Sequence, residues 1–313
     1  MPKEFAQIEW NAAVEDDLRQ LVRLAVREDL DRQYDWTTVA LVSPEQAGRA
    51  AIVAREAGVI AGLRALPVII DEMQASIDCQ LLAGDGDEVQ ARTPIAEIAG
   101  SARDLLTCER PMLNLVGRLS GIATLTREYI RRVDGTGARI YDTRKTTPGW
   151  RRLEKYAVRC GGGHNHRTGL FDAILIKDNH LALAAVGNLT PADAVRRARE
   201  FVRQLAPQSF PNFDAEKFII EIEVDRLEQL EDVLTAGPDI VLLDNMSREQ
   251  LQAAVARRDA VAPQIELEAS GGATLETVRE IAATGINRIS VGALTHAARS
   301  LDVALDWRPA GGG

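Results

Sequence analysis

The chain has 313 residues, 46% of them apolar but only 4% aromatic, and a formal charge of −9. That length and apolar content suffice for one large domain or two, with cores built on Ala, Leu, Ile and Val rather than on rings. The acidic balance argues against a broad basic face for nucleic acid. Three scattered cysteines (Cys79, Cys108, Cys160) argue against a disulfide framework and fit a reducing cytoplasm, and no stretch reads as a signal core or a bilayer span.

Val14, Leu18, Leu21, Val22, Ala25 and Val26 recur at helical spacing, so residues 12–30 are predicted as an amphipathic helix, broken at Asp35-Trp36-Thr37-Thr38. Residues 48–100 change character. Short apolar runs at 50–53, 59–60, 80–82 and 95–98 are split by Gly84-Asp85-Gly86-Asp87 and Thr93-Pro94, which predicts antiparallel strands, with one helix over 64–73. This part reads as a small α+β sandwich. Helical period returns over 104–132. Pro111 suits an early helical position, which would set Arg110 beside a helix N-terminus, against the dipole, as if awaiting an anion. Asp134-Gly135-Thr136-Gly137 marks a boundary.

Beyond it, β-branched runs at 139–141, 173–176, 218–224, 240–243, 265–269 and 288–291 alternate with helical patterns at 191–204, 226–235, 248–258 and 275–283. Thr190-Pro191, Ser247 and Thr274 mark helix starts. Repeated βα units imply a parallel sheet, and six strands rather than eight imply an open, incomplete barrel. The expected organisation is α/β: a sandwich domain with its linking helix over 1–133, a barrel over 134–294, and a C-terminal helix over 295–313 that packs back on the sandwich.

The barrel holds the chemistry. Residues 139–167 carry eight Lys/Arg against two acids in an acidic chain, and three of the four histidines lie within 142–180. Small multiply charged anions are the natural partners of such an excess. Arg151, Arg152, Lys155 and Arg159 have the spacing of a solvated helix surface. Arg144-Lys145 and Lys177 differ, because each follows a buried run where a strand should end. Every predicted strand end is polar, charged or glycine: Thr143-Arg144-Lys145, Lys177-Asp178-Asn179, Glu223, Asp244-Asn245, Ser270-Gly271-Gly272 and Gly292. Active sites of βα barrels form at such ends. Arg144, Lys145, Arg167 and Lys177 suit carboxylates or phosphates. The glycine turns before predicted helices suit a phosphate cradle. Glu223 and Asp244 can hold Mg²⁺ directly or through water, bind ribose hydroxyls, or simply balance the lysines. His164, His166 and His180 lack an acid or Cys at familiar zinc spacing.

These motifs resemble the quinolinate phosphoribosyltransferase family, the carboxylating nicotinate-nucleotide pyrophosphorylases. The resemblance runs through Glu109-Arg110-Pro111, Leu113-Asn114 and residues 120–124, then 142–149, 154–158, 161–167 and 175–180. It continues through 221–224, 243–245, 268–272 and 290–296. It covers nearly the whole chain except residues 208–214 and the tail 310–313. It implies transfer of a phosphoribosyl group from 5-phosphoribosyl-1-pyrophosphate to quinolinate with loss of CO₂, giving nicotinate mononucleotide for NAD biosynthesis. It also implies a cytoplasmic homodimer with shared active sites, Arg110 entering the neighbour's site, and no nucleic-acid or membrane partner. Arg110, Arg144, His166, Arg167 and Lys177 would bind quinolinate. Lys145, Glu223, Asp244, Ser270, Gly271, Gly272 and Gly292 would bind the sugar phosphate and its metal, with His296 assisting, and Thr143 would be a further substrate-binding residue. Lys145, Glu223 and Asp244 would be catalytic, the last two with Mg²⁺, and no organic cofactor would be needed. The residues themselves leave three alternatives: a sister enzyme for another pyridine, an idle phosphosugar-binding regulator, and an aldolase using Lys177 as a Schiff base.

Overall fold

The computed structural model describes residues 2–184, 189–205 and 214–308. The first half contains α1 (Ala12–Leu30), α2 (Trp36–Leu41), β1 (Ala47–Ala54), β2 (Gly58–Val59), α3 (Ala65–Glu72), β3 (Ile77–Leu81), β4 (Glu88–Val89), β5 (Thr93–Ser101) and α4 (Ala102–Val133). Then follow β6 (Arg139–Tyr141), α5 (Arg151–Cys160), β7 (Ala173–Ile176), α6 (Asp178–Ala184), α7 (Pro191–Leu205), β8 (Ile219–Val224) and α8 (Leu230–Ala236). The last are β9 (Ile240–Asp244), α9 (Arg248–Val261), β10 (Glu266–Ser270), α10 (Val278–Ala282), β11 (Arg288–Ser290), α11 (Ala293–His296) and β12 (Val303–Arg308). The idiosyncratic residues 208–213 and 310–313 lie outside the described residues.

Two compact units form. One comprises residues 8–128, 145–163 and those from 293 onward. Its antiparallel sheet has the order β12-β1-β5-β3, with β2 and β4 as a separate pair. Helix α1 starts where Asn11 accepts from the Ala13 and Val14 N–H groups, and it buries Val14, Leu18 and Val22. Asp35 does more than break this helix: it caps α2 by accepting from Thr38 N. The triple glycine 161–163 is a packing device. A Cβ at Gly161 would stand 2.4 Å from the Ala123 carbonyl oxygen, and one at Gly163 2.7 Å from Thr126 Cγ2.

Three expectations about this unit are corrected. The tail predicted as a helix over 295–313 instead ends in β12, which pairs antiparallel with β1 from Ala54↔Val303 to Arg49↔Arg308. Its alternation of Val303, Leu305 and Trp307 with Ala304, Asp306 and Arg308 is a period-2 pattern that needed a partner edge to become a strand. Pro111 lies inside α4, not in its first turn. The helix therefore runs on with one N–H missing, and the dipole argument for Arg110 lapses. Lys155, read as solvated, is fully buried.

The other unit comprises residues 1–7, 129–144 and 164–292. Its parallel sheet has the order β6-β11-β10-β9-β8-β7. The strands do not close, so β6 and β7 remain edges, as an incomplete barrel requires. Ser247 caps α9 in a capping box with Gln250. Thr274, read as a helix start, caps only a turn through Thr277 N, and α10 begins at Val278.

Candidate active site

Strand register decides what shares a face. Glu221 pairs with Ile240, Ile240 with Glu266, Leu242 with Glu268, and Ser270 with both Asp244 and Ser290. Side chains two apart point to the same side, so Glu221, Glu223, Asp244, Glu266, Glu268, Ser270 and Arg288 all belong to one face of the sheet. Side-chain contacts divide that face into groups. Arg139 and Arg288 meet Glu266 at the start of β10, Glu221 and Glu268 meet at His166, and Glu223, Asp244 and Ser270 lie at or next to the strand ends.

At the ends, Lys177 Nζ donates to Glu223 Oε2. The two predicted site residues are thus joined by an ion pair, in which Glu223 balances the Lys177 charge. One strand over, Asp244 Oδ2 accepts from Asn245 Nδ2 at 2.7 Å, and Asn245 N donates to the Ser270 carbonyl at 2.9 Å. Asn245 sits in the left-handed region at φ 52, which Asn tolerates better than most residues. Gly271 has φ +90, and a Cβ there would come 2.1 Å from Asn245 Oδ1; Gly272, at φ +65, faces open space. These bends turn backbone toward the strand ends and make the phosphate cradle a matter of loop conformation. With α10 only five residues long and beginning at Val278, well beyond Gly272, helix dipole adds little. Thr143 and Gly292 follow the last residues of β6 and β11. Glu223 and Asp244 end adjacent strands, and their hard oxygen donors fit Mg²⁺ together with water and pyrophosphate oxygens.

The segment after His164 crosses beside β6. Asp142 is fully buried and holds it: Asn165 Nδ2 donates to Oδ2 at 2.6 Å and His166 N to Oδ1 at 2.9 Å. From the N-terminal stretch, Gln7 clamps Asn165 through both its N–H (2.8 Å) and its carbonyl (3.1 Å), while Phe5 stacks on the His166 ring at 4.4 Å. Arg167 is buried, and its pKa is lowered first by burial and then by the Arg144 charge, with Glu221 and Asp172 opposing. Arg144 Nε is itself buried and donates to no partner among the described residues. Two arginines of like charge, one with a buried donor unmet, are an arrangement that an anion would relieve.

His166 turns inward. Its Nδ1 accepts from Arg167 N at 2.8 Å, and its Nε2 lies 3.0 Å from Glu221 Oε2 and 3.5 Å from Glu268 Oε1. Spacing gave no sign that two acids would join this histidine, because they come from β8 and β10. His164 instead stacks on Tyr141 at 5.2 Å, and His180 Nδ1 accepts from Lys177 N at 3.0 Å. The three histidines do not converge on one another.

Three predicted residues belong to the sheet unit. Lys145 is exposed, and its carbonyl accepts from Thr295 Oγ1 at 2.7 Å. Buried Glu154 fixes the loop that follows by accepting from Thr147 N at 3.1 Å and from Arg118 Nη2 at 2.7 Å. His296 ends α11 and is exposed. Arg110 projects from α4 with its side chain 72% exposed, 3.5 Å from Glu109. Sequence reasoning missed Phe5, Gln7, Asp142, Glu221 and Glu268 as parts of the site. Only Glu221 gave a signal, by its alternation with Glu223.

Known proteins match this chain along its length. Residues 122–306 match the family described as quinolinate phosphoribosyl transferase, C-terminal domain, and residues 35–120 match the corresponding N-terminal domain. A nicotinate-nucleotide pyrophosphorylase [carboxylating] of Mycobacterium leprae is 46% identical over 293 residues, covering 93% of this chain and 97% of the relative. A probable enzyme of the same name from Bacillus subtilis is 42% identical over 84% of each chain. The solved nicotinate-nucleotide pyrophosphorylase of Francisella tularensis superposes with a TM-score of 0.84 at 33% identity, covering 97% of this chain and 100% of that one.

Proposed function

The chain belongs to the quinolinate phosphoribosyltransferase family, and from that premise we propose how its residues divide the work. It converts quinolinate and 5-phosphoribosyl-1-pyrophosphate to nicotinate mononucleotide, CO₂ and pyrophosphate in NAD biosynthesis. The observation that carries the reading is the Arg144–Arg167 receptor, whose unmet buried donor and crowded charge suit a dicarboxylate.

Both substrates are polyanions, so binding concentrates cations. Arg144 and Arg167 take the quinolinate carboxylates, joined by Lys177. The Ser270-Gly271-Gly272 turn and Gly292 cradle phosphate, with Thr143 beside them. As the bond from ribose C1 to pyrophosphate breaks, positive charge grows at C1, and the Glu223 carboxylate stabilises it. Glu223 and Asp244 would hold Mg²⁺, which when bound neutralises the leaving pyrophosphate. The pyridine nitrogen then bonds to C1 and becomes cationic. When the C2 carboxylate leaves as CO₂, the electron pair left at C2 is stabilised by that cation until a proton from solvent replaces it. The chemistry needs no covalent residue and no organic cofactor. Lys145 and His296 are assigned to the phosphoribosyl donor, and Arg110 to quinolinate in the second copy of a cytoplasmic homodimer. Its wide exposure on α4 supports that last assignment.

The test is release of CO₂ from carboxyl-labelled quinolinate, dependent on the phosphoribosyl donor. Lys145→Ala is expected to cut turnover by about a hundredfold or more with folding intact. Near-normal turnover would remove Lys145 from the site. A different pyridine as sole acceptor would favour the sister-enzyme alternative.

A further inference from the structure

We propose that Glu221 and Glu268 are positioning residues for this reaction: they hold His166 as its neutral Nε2–H tautomer, with Glu268 carrying a proton. The inference rests on the assignment of quinolinate to Arg144 and Arg167. It departs from the resemblance, which implies that His166 itself binds quinolinate.

Three observations carry it. Nδ1 of His166 accepts the Arg167 N–H at 2.8 Å, so that nitrogen bears no proton. Nε2 then bears one, and it faces the two glutamates at 3.0 and 3.5 Å. All four oxygens of Glu221 and Glu268 are buried without a well-aligned hydrogen bond. Two bare carboxylates beside a neutral ring would place two like charges side by side in the interior with no aligned donor on either. Protonating one of them removes that repulsion, which is felt because the His166 nitrogen and one oxygen of each carboxyl lie within 4.8 Å of one another.

The surroundings choose Glu268 as the protonated member. Burial and the Glu221 charge raise it, the Ser290 hydroxyl and Arg288 lower it, and it stands at about 7 even with the lowering that a charged His166 would add, which a neutral ring does not supply. Arg288 is committed to Glu266 and Glu4 toward the strand starts, so its pull on Glu268 is partial. Arg167, next in the chain to His166, feels the charges of both Arg144 and Glu221. His166 thus contributes no charge of its own. Locked by Phe5, Asp142 and the glutamate pair, it pins the backbone of Arg167 and so aims that guanidinium. When Glu268 ionises, a second negative charge appears behind the receptor, and quinolinate binds less well.

The test uses the full chain and quinolinate itself. Wild-type enzyme must first release CO₂ from quinolinate; failure there sinks the functional reading and not this one. The expected wild-type result is a quinolinate KM that rises by about threefold or more as pH increases through about 7, with kcat changing less. Glu268→Ala should raise that KM by about tenfold. Glu268→Gln, isosteric with the protonated carboxyl, should restore it and flatten the pH profile. Independently of any variant's folding, ¹⁵N imidazole spectra of the four histidines, with His166 assigned by His166→Gln, should show the Nε2–H tautomer at pH about 7.5. An imidazolium signal there, no rescue by Glu268→Gln, or a stoichiometric divalent metal in purified protein that Glu268→Gln loses would each overturn the proposal.

Discussion

The two ends of the parallel sheet use the same residue types to opposite effect. Toward the strand starts, Arg288 is fully buried, donates to Glu266 and to Glu4 Oε1 (3.1 Å), and lies with its guanidinium 4.7 Å above the Tyr141 ring. Arg139 meets Glu4 Oε2 at 2.9 Å and also Glu266. Burial pulls Arg288 down, yet Tyr141, Glu266 and Glu4 together leave it above its ordinary range. Burial likewise raises the Tyr141 phenol, keeping it a donor to Glu4 Oε2 at 2.6 Å. Every charge there has its counter-charge. Toward the strand ends, Arg144 and Arg167 face each other as like charges, and four glutamate oxygens behind His166 lack aligned donors. A buried Arg–Glu set that is closed on itself serves the fold. One that is incomplete waits for a ligand or a proton.

Substitutions can break that contrast. The largest effect should come from Arg288→Met, which removes the fully buried arginine and leaves two carboxylates, Glu266 and Glu4, to share Arg139. A loss of about 3–5 kcal/mol in unfolding free energy is expected by denaturant titration, with quinolinate kcat/KM of the folded fraction little changed. Arg167→Ala should do the reverse. Steady-state kinetics should show kcat/KM for quinolinate down by roughly a hundredfold, with the unfolding midpoint held or raised as the repulsion with Arg144 disappears. A shared fall in stability and activity for both variants would erase the distinction between the two ends.

Two smaller effects sharpen it. Gly271→Ala must take up a left-handed backbone and displace Asn245, at a cost of about 1–3 kcal/mol. Its KM for the phosphoribosyl donor should rise more than that for quinolinate. Glu268→Gln should change the pH dependence of stability. Because folding raises the Glu268 pKa to about 7, the native state binds the extra proton between the ordinary carboxylate range and that value. Wild-type stability therefore falls as pH rises through that window, and thermal melts of the Gln variant should lack the decline.

Much of the architecture was legible from local pattern. The helix over 12–30 matches α1, and the six β-branched runs match β6 to β11 to within about one residue at either end. The strand-end residues Lys177, Glu223, Asp244 and Ser270 were found because βα periodicity tells where strands stop. Pro111 misled, since a long helix held by packing carries a proline that propensity would place at its start. The tail misled too, since a strand at a sheet edge exists only when the edge is there to receive it.

Composition, period and glycine placement by themselves determined two sheets of different kind, an open barrel, and a cationic, anion-binding character for its strand ends, because each depends on contacts a few residues apart. Tertiary structure alone decided which charges were answered. Glu221 and Glu268 reach His166 from β8 and β10, 55 and 102 residues along the chain by their numbers. Phe5 reaches it from the opposite terminus. No local spacing encodes such meetings, since they arise from strand register across the sheet, and burial then sets whether a carboxyl at the meeting point keeps its proton.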